Sequence, residues 1–271
     1  GFNPKTWLDL IGYWATAPKI DLPVVFVAGS SARSGTTLLK SVIMAHSRFS
    51  GPAGECTGIF RYRDPKKLLL KREHPFLQGE SLDRFGSITK LYDFICRNSM
   101  QKGQCEAFVD KLYRMDRFLP PYVLAKLKNS KLVIIVRDGR DSYCSAQTHK
   151  NVPQRESVVQ FARSWRNNVR EIVRMSRHKR VMVVRYEDFV TEPSQSITSI
   201  MEFLEYPVEA SQLDPVVYGR TRLTDVSVHR NLNKAIGPFS VGRYRKHLPR
   251  SARTIFEQLA HQELKFYKYP V

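Results

Sequence analysis

The stretch from residue 24 to residue 39 constrains the fold of this chain more than any other. It begins with an apolar run typical of a buried strand, continues through a Gly- and Ser-rich loop, and ends in a helical pattern. Small residues let the backbone amides of such a loop close around a phosphate, and the helix N-terminus adds about half a positive charge. Thr36 and Thr37 would add hydroxyl donors. The segment therefore predicts a loop that binds a phosphorylated ligand.

The spacing of this loop argues against nucleoside triphosphates as the ligand. Their loop follows the pattern Gly-x-x-x-x-Gly-Lys-Ser/Thr, in which the lysine reaches the outer phosphates. Here Gly35 follows Gly29 one residue too late, Thr36 stands where the lysine should be, and Arg33 lies inside the loop. The sequence also shows no clear strand with an acidic end that could hold magnesium. A kinase or ATPase is therefore disfavoured, and we expect no metal site.

The pattern along the chain indicates an α/β fold. Three apolar runs are each followed by a helical pattern, and they span residues 24–28, 132–136 and 181–185. Long helices are predicted at residues 155–177 and 251–265. This alternation is typical of a mainly parallel central sheet flanked by helices. Because 271 residues with 42% hydrophobic content can bury a large core, we expect a single domain over residues 1–271.

The chain carries a large excess of positive charge. Lysine and arginine number 44 against 25 aspartate and glutamate residues, which gives a formal net charge of +19. Such a charge attracts anionic ligands, nucleic acids among them. However, the basic residues are dispersed, and no helix-turn-helix, zinc-finger or RNA-binding signature accompanies them. We therefore expect no nucleic-acid partner, although a nucleotide- or nucleic-acid-binding module without transfer activity stays open as the alternative from another class.

The loop at residues 33–38, Arg-Ser-Gly-Thr-Thr-Leu, resembles that of a known family. It is similar to the sulfotransferases that use 3'-phosphoadenosine 5'-phosphosulfate (PAPS), above all the Golgi tyrosylprotein sulfotransferases. The resemblance implies a P-loop-like sulfotransferase fold whose loop holds the 5'-phosphosulfate without a metal, with adenosine 3',5'-bisphosphate (PAP) as product. The residues it implies for this contact are Arg33, Ser34, Gly35, Thr36 and Thr37.

A second segment carries the same resemblance. An apolar strand ends in Arg137 and is followed by a helix that contains Ser145. In the family, an arginine and a serine at these places bind the 3'-phosphate of the cofactor, which implies that role for both residues. An arginine at the carboxyl end of a strand lies where open α/β sheets bind ligands, and its guanidinium offers a fork to a phosphate. The alternative is a surface ion pair of Arg137 with Asp138 or Asp141.

Two further residues are candidate cofactor contacts. Tyr186 follows the strand at 181–185, and the family has a tyrosine near the nucleotide at this place. A half-buried packing role is the alternative for Tyr186. Arg243 lies in a segment that resembles the loop closing over the nucleotide, which implies a further phosphate contact. His149 stands where tyrosylprotein sulfotransferases have another cofactor-binding arginine, so the chain departs from their pattern there.

Sulfonate transfer needs a base for the acceptor hydroxyl and cations near the leaving group. Tyrosylprotein sulfotransferases have a Gly-Glu pair at the distance of Gly54-Glu55 from the loop, and the resemblance implies that Glu55 is the general base. Lys111 resembles a family lysine that ends a short strand, and Arg33 would neutralise the leaving phosphate. Without the resemblance, Glu55 is an ordinary loop glutamate and Lys111 a solvated lysine beside Asp110.

The resemblance also implies partners and a location. The acceptor would be an acidic protein or a glycan, with a tyrosine in an acidic stretch favoured and a carbohydrate hydroxyl as the alternative. Residues 57–104 would shape the acceptor pocket, as this region does in related enzymes. The Golgi lumen is the implied compartment, with membrane attachment only through an N-terminal anchor trimmed from this chain. A homodimer and a cytoplasmic location both stay open.

The cysteines give one structural expectation. Cys56 lies next to the candidate base, and Cys105 lies shortly before the strand of the candidate lysine. Tyrosylprotein sulfotransferases have cysteines near both places that pair, so the resemblance implies a Cys56–Cys105 disulfide. Reduced thiols in a cytosolic protein are the alternative, since Cys144 lies in a predicted helix core.

Overall fold

The computed structural model describes residues 16–52, 54–61, 85–112, 115–147, 157–220 and 235–271. Within these ranges the strands of the sheet are Val24–Gly29 (β1), Phe49–Ser50 (β2), Ala107–Lys111 (β3), Lys131–Val136 (β4) and Val181–Arg185 (β5). The α-helices are Thr36–Met44 (α1), Ile88–Gly103 (α2), Leu119–Lys126 (α3), Gly139–Gln147 (α4), Val158–Met175 (α5), Tyr186–Thr191 (α6), Pro193–Leu204 (α7), Pro215–Arg220 (α8), Tyr244–His247 (α9) and Arg250–Phe266 (α10). Short 3-10 helices lie at Thr57–Arg61 and Ala210–Gln212.

The sheet is parallel throughout, in the order β2-β3-β1-β4-β5. From the central β1 the chain first builds β2 and β3 on one side and then crosses to β4 and β5 on the other. Ligands of open α/β sheets bind at the carboxyl ends of the strands where the strand order reverses in this way. The predicted α/β fold with a parallel central sheet is confirmed, and its topology points to the carboxyl end of β1 as the binding edge.

Both faces of the sheet are covered by apolar layers. Along β1, Phe26 faces one buried cluster and Val27 the other, as the alternation of a strand requires. The first cluster receives the apolar stripe of α5, in which Trp165 and Ile172 are fully buried. The second is closed by α1 and α7. The helices predicted at 155–177 and 251–265 are confirmed as α5, which is shorter at both ends, and α10, which is one residue longer at each end.

The expected Cys56–Cys105 disulfide is wrong for this structure, in which none of the four cysteines, all of them described, forms a disulfide. The Cys56 amide donates to the carboxylate of Asp110, near the carboxyl end of β3. Cys105 precedes the amino end of the same strand. At about 3.3 Å per residue the two ends lie on the order of 15 Å apart, whereas a disulfide requires Cα atoms roughly 4.4–6.8 Å apart. The error was to assume that both segments meet at one edge of the sheet.

Two sequence expectations fall outside the described residues: His149, and the part of the predicted acceptor region that spans residues 62–84. Among the residues that are described, no helix combines the length and the apolar character needed to cross a membrane.

Candidate active site

The predicted phosphate loop lies between β1 and α1, at the carboxyl edge of the sheet. Gly35 is the N-cap of α1 and has a left-handed backbone with φ 103°. As a glycine, this N-cap has no side chain that could accept from the amides of the first turn, so within the described part of the chain it supplies no capping acceptor. Thr36 and Thr37 form that first turn. The loop therefore presents backbone and hydroxyl donors together with the positive end of the helix dipole.

Gly35 is required for a second reason, which is its close approach to Tyr186. A Cβ atom at position 35 would lie 2.7 Å from Cδ2 of the Tyr186 ring. Tyr186 is buried, with 8% of its surface exposed, and it begins α6 directly after β5. The Tyr186 ring packs against the loop, which agrees with the packing role considered for this residue. The same contact holds the ring beside the candidate cofactor residues.

We expect Gly35→Ala to lower the free energy of unfolding by about 2 kcal/mol or more, because it adds both left-handed backbone strain and the clash with Tyr186. Urea unfolding measures this change. Gly54→Ala is the matched control, since a Cβ there meets nothing within 4 Å. Equal stability of the two variants would contradict the tight packing of the loop.

Ser34 is the buried polar residue at the centre of this loop. Its side chain is inaccessible to solvent, and among the described residues its Oγ atom has no hydrogen-bond partner. A buried hydroxyl without a partner costs roughly 1–3 kcal/mol. A phosphate oxygen in the loop would remove that cost, so the chemistry of Ser34 fits an anionic ligand.

Two arginines meet beside the loop. Arg33 has a left-handed backbone with φ 67°, and its Nε donates to Ser145 Oγ at 3.2 Å. Its carbonyl accepts from Nη1 of Arg137 at 2.9 Å. Burial, together with the nearby charge of Arg137, lowers the pKa of Arg33 from its ordinary value. Because two like charges are held close together in a partly dry site, the pair favours an anion between or beside them.

Arg137 connects the predicted cofactor residues to one another. It is 4% exposed, and its guanidinium lies over the Tyr186 ring at 4.5 Å from the centroid. Nη2 donates to the carbonyl of Ser240 at 2.6 Å, in the segment that leads to Arg243. The structure thus brings Arg33 and Tyr186 to Arg137, and it brings Ser145 to Arg33.

The surface ion pair considered for Arg137 is not formed, because both aspartates have other partners. Asp138 pairs with Arg140, whose Nη2 lies 2.8 Å from Asp138 Oδ2. Asp141 accepts from the amides of Gly242 and Tyr244 at 2.7 and 2.8 Å. Burial raises the pKa of Asp141, and these two amide donors oppose that rise. The two aspartates of the Arg-Asp-Gly-Arg-Asp sequence therefore form the wall of the pocket by binding other partners. The Arg137 guanidinium is left available to a ligand in that pocket.

Arg243 is positioned by this wall. It is the N-cap of α9, between the two amides that Asp141 holds. Burial raises the pKa of the Cys144 thiol to about 11, and the charges of Arg243 and Arg137 act in the opposite direction. Both arginine charges therefore reach the Cys144 thiol of α4.

The predicted base and the predicted lysine meet directly. Lys111 Nζ lies 3.1 Å from Glu55 Oε2, and each side chain is 29% exposed. Lys111 is the last residue of β3 and pairs in register with Val27 of β1, which places it beside the phosphate loop. The Lys111 ammonium pairs with Glu55, whereas its amide donates to the buried carboxylate of Asp110. The ion pair lies on one side of β1, and the two arginines lie on the other.

Comparison with known proteins decides the family. A family profile described as "Sulfotransferase domain" matches residues 23–265. The chain belongs to this sulfotransferase domain family. Protein-tyrosine sulfotransferase 2 of Gallus gallus is 26% identical to the domain over 198 residues, which are 68% of this chain and 51% of the relative. The protein-tyrosine sulfotransferase of Drosophila melanogaster is 24% identical over 205 residues, 69% of this chain and 39% of the relative. The chain thus spans about half or less of these curated relatives.

Solved structures share the fold of this sulfotransferase domain. The sulfotransferase domain from the curacin biosynthetic pathway superimposes with a TM-score of 0.62 at 20% identity, covering 93% of this chain and 100% of its own. A mouse sulfotransferase complexed with PAP gives a TM-score of 0.58 at 16% identity, with 97% and 91% covered. The P-loop-like sulfotransferase fold expected from the sequence is therefore confirmed.

Sequence reasoning missed three buried polar residues beneath the Glu55–Lys111 pair of this sulfotransferase domain. Lys40 lies on the buried face of α1, Asp110 lies within β3, and Tyr92 comes from α2. A charged residue inside an otherwise apolar run was the available signal for Lys40 and Asp110. Tyr92 gave no signal, since a tyrosine on the apolar face of a helix is ordinary core.

Proposed function

We propose that this sulfotransferase domain transfers a sulfonate group from PAPS to a hydroxyl, and that the acceptor is a tyrosine of a protein. One observation carries the proposal. A single edge of the sheet presents a phosphate loop with Arg33 and Arg137 on one side, and the Glu55–Lys111 ion pair on the other. An anionic donor and a hydroxyl with its base would need this combination of groups.

The residues at this edge fit PAPS. The uncapped start of α1, the unpartnered Ser34 hydroxyl and the paired arginines form a cationic, donor-rich set suited to a doubly phosphorylated ligand. Segment 33–37 would hold the 5'-phosphosulfate, and Arg137 with Ser145 would hold the 3'-phosphate. Two solved neighbours of the fold were obtained with PAP, the mouse sulfotransferase and a retinol dehydratase, which supports this assignment. Tyr186 and Arg243 would complete the nucleotide pocket.

The chemistry assigned to the chain's own residues is acid–base and electrostatic. When bound, PAPS supplies the activated sulfonate and a phosphate leaving group. Glu55 takes the acceptor proton, and because a phenol holds its proton far more tightly than a carboxylic acid does, that proton moves as the new O–S bond forms. Lys111 and Arg33 stabilise the negative charge that remains on the leaving phosphate after the old S–O bond breaks. PAP is the second product.

The acceptor assignment has separate support. The two curated relatives are named protein-tyrosine sulfotransferases, and a net charge of +19 suits an acidic stretch around the acceptor. By the same resemblance we propose the Golgi lumen as the compartment. A homodimer and an N-terminal anchor stay predictions.

The test is transfer from radiolabelled PAPS to defined acceptors. We expect label on an acidic peptide with one tyrosine, and none on the same peptide with phenylalanine in its place. Label on desulfated glycans alone would contradict the proposal that the acceptor is a tyrosine, but it would support the proposal that the domain transfers sulfonate. PAP binding without label on any acceptor would identify a nucleotide-binding module and overturn the enzymatic proposal.

A further inference from the structure

A buried lysine donates hydrogen bonds to the backbone of the segment that carries Glu55. Lys40 is only 5% exposed although it bears a charge. Its Nζ donates to the carbonyls of Pro52 and Gly54 at 2.5 and 2.6 Å. These two carbonyls lie immediately before Glu55 in the chain, so the ammonium fixes the backbone that leads into the candidate base.

A buried carboxylate fixes the backbone on the other side of Glu55. Asp110 has no solvent exposure, and it accepts from the amide of Cys56 at 2.9 Å. The same carboxylate accepts from the amide of Lys111 at 2.7 Å and from the hydroxyl of Tyr92 at 2.8 Å. One side chain therefore holds the residue after Glu55 and the backbone of Lys111 itself.

The two buried charges depend on each other. Burial lowers the pKa of Lys40 and raises the pKa of Asp110, and in each case the charge of the other residue opposes the change. Lys111 and Glu55 also act electrostatically on Lys40, and these two side chains lie 3.1 Å apart. Buried opposite charges are weak support for stability, since apolar residues of the same volume often do as well. The hydrogen bonds of Lys40 and Asp110 lead instead to the backbone around Glu55.

We propose that Lys40 and Asp110 are positioning residues, which clamp the backbone on both sides of Glu55 and so set its carboxylate against the Lys111 ammonium. The role of Glu55 as base rests on the proposed function, whereas the clamp is a statement about the chain alone. A clamp predicts that the Glu55 segment loosens when either residue is changed, whether or not the protein transfers sulfonate.

Hydrogen exchange followed by mass spectrometry tests the clamp directly. In Lys40→Met, which keeps the length of the side chain and removes its donors, we expect the amides of residues 54–57 to exchange about tenfold faster or more, with α5 unchanged. Lys126→Met is the matched control, because Lys126 Nζ also donates to a carbonyl, that of Ala17 at 2.5 Å, near the opposite edge of the sheet. Unchanged exchange at 54–57 would overturn the proposal. If Lys40→Met does not fold, Asp110→Asn provides the same measurement.

Kinetics separate positioning from general destabilisation. We expect Lys40→Met to lower kcat on the order of 10- to 100-fold, as a small misplacement of a reacting group does, with PAP affinity within about twofold of the wild type. In a Glu55→Gln background the same change should cost nothing further, because Lys40 acts through Glu55. An equal loss in both backgrounds would contradict the positioning role. A wild-type protein without transfer activity would instead refute the proposed function, and the exchange measurement would still decide the clamp.

Discussion

Replacing Glu55 with glutamine should lower kcat by about 10³-fold, within the range known for the loss of a general base. Glutamine keeps the shape of the side chain but cannot take the acceptor proton, and it also removes the charge that faces Lys111 Nζ at 3.1 Å. PAP affinity should stay within about twofold, because Glu55 lies on the β3 side of the loop, away from the two arginines. Steady-state kinetics with the tyrosine peptide and calorimetry with PAP measure the two quantities.

Glu106→Gln is the control for this prediction. Glu106 also pairs with a cation, Arg48 Nη1 at 3.3 Å, but it lies before the amino end of β3. The substitution also removes one negative charge, but at the amino ends of the strands and away from the candidate site, so kcat should be unchanged. If Glu55→Gln keeps full turnover, Glu55 is not the base and the proposed mechanism fails.

The second large effect is expected at Arg137. Arg137→Ala should weaken PAP binding by about 3 kcal/mol, which is on the order of 100-fold in Kd, because the buried guanidinium that we propose as the 3'-phosphate contact is lost. The structure shows the guanidinium stacked on Tyr186 and adjacent to Arg33, with its Nε atom buried and without a partner among the described residues. Arg137→Lys keeps the charge and loses the fork, so we expect an intermediate affinity.

Calorimetry with PAP measures this loss, and the melting temperature of each variant shows whether the fold is retained. Arg174→Ala is the matched control: it removes one positive charge from an exposed ion pair with Glu171, in the last turn of α5. Its PAP affinity should equal that of the wild type. Equal affinity for Arg137→Ala would mean that the 3'-phosphate is bound elsewhere.

The two motifs that gave the site were readable because each is contiguous. A strand, a turn and the start of a helix lie within one stretch of chain, so the phosphate loop and the strand that ends in Arg137 show their residues in order. Parallel strands place their carboxyl ends at one edge, so the two motifs could be expected to meet. The roles of Glu55 and Lys111 came from a family resemblance, and their ion pair came only from the structure.

The disulfide shows where this reasoning fails. The family resemblance implied a bond between Cys56 and Cys105, yet the length of β3 separates the two residues. Cys56 is held at the carboxyl end of β3, and Cys105 stays at its amino end.

The sequence by itself determined the α/β architecture, the phosphate loop and the identity of the charged residues at the strand ends, since these depend on local periodicity and short motifs. Only the tertiary structure decided which groups touch. It showed that Arg33 contacts Ser145, and that Asp138 and Asp141 bind partners other than Arg137. It also showed that the buried Lys40 and Asp110 hold the backbone around Glu55. The physical reason is that such contacts join residues from separate elements, and their partners are fixed by packing and by the need to satisfy every buried charge, which no local pattern records.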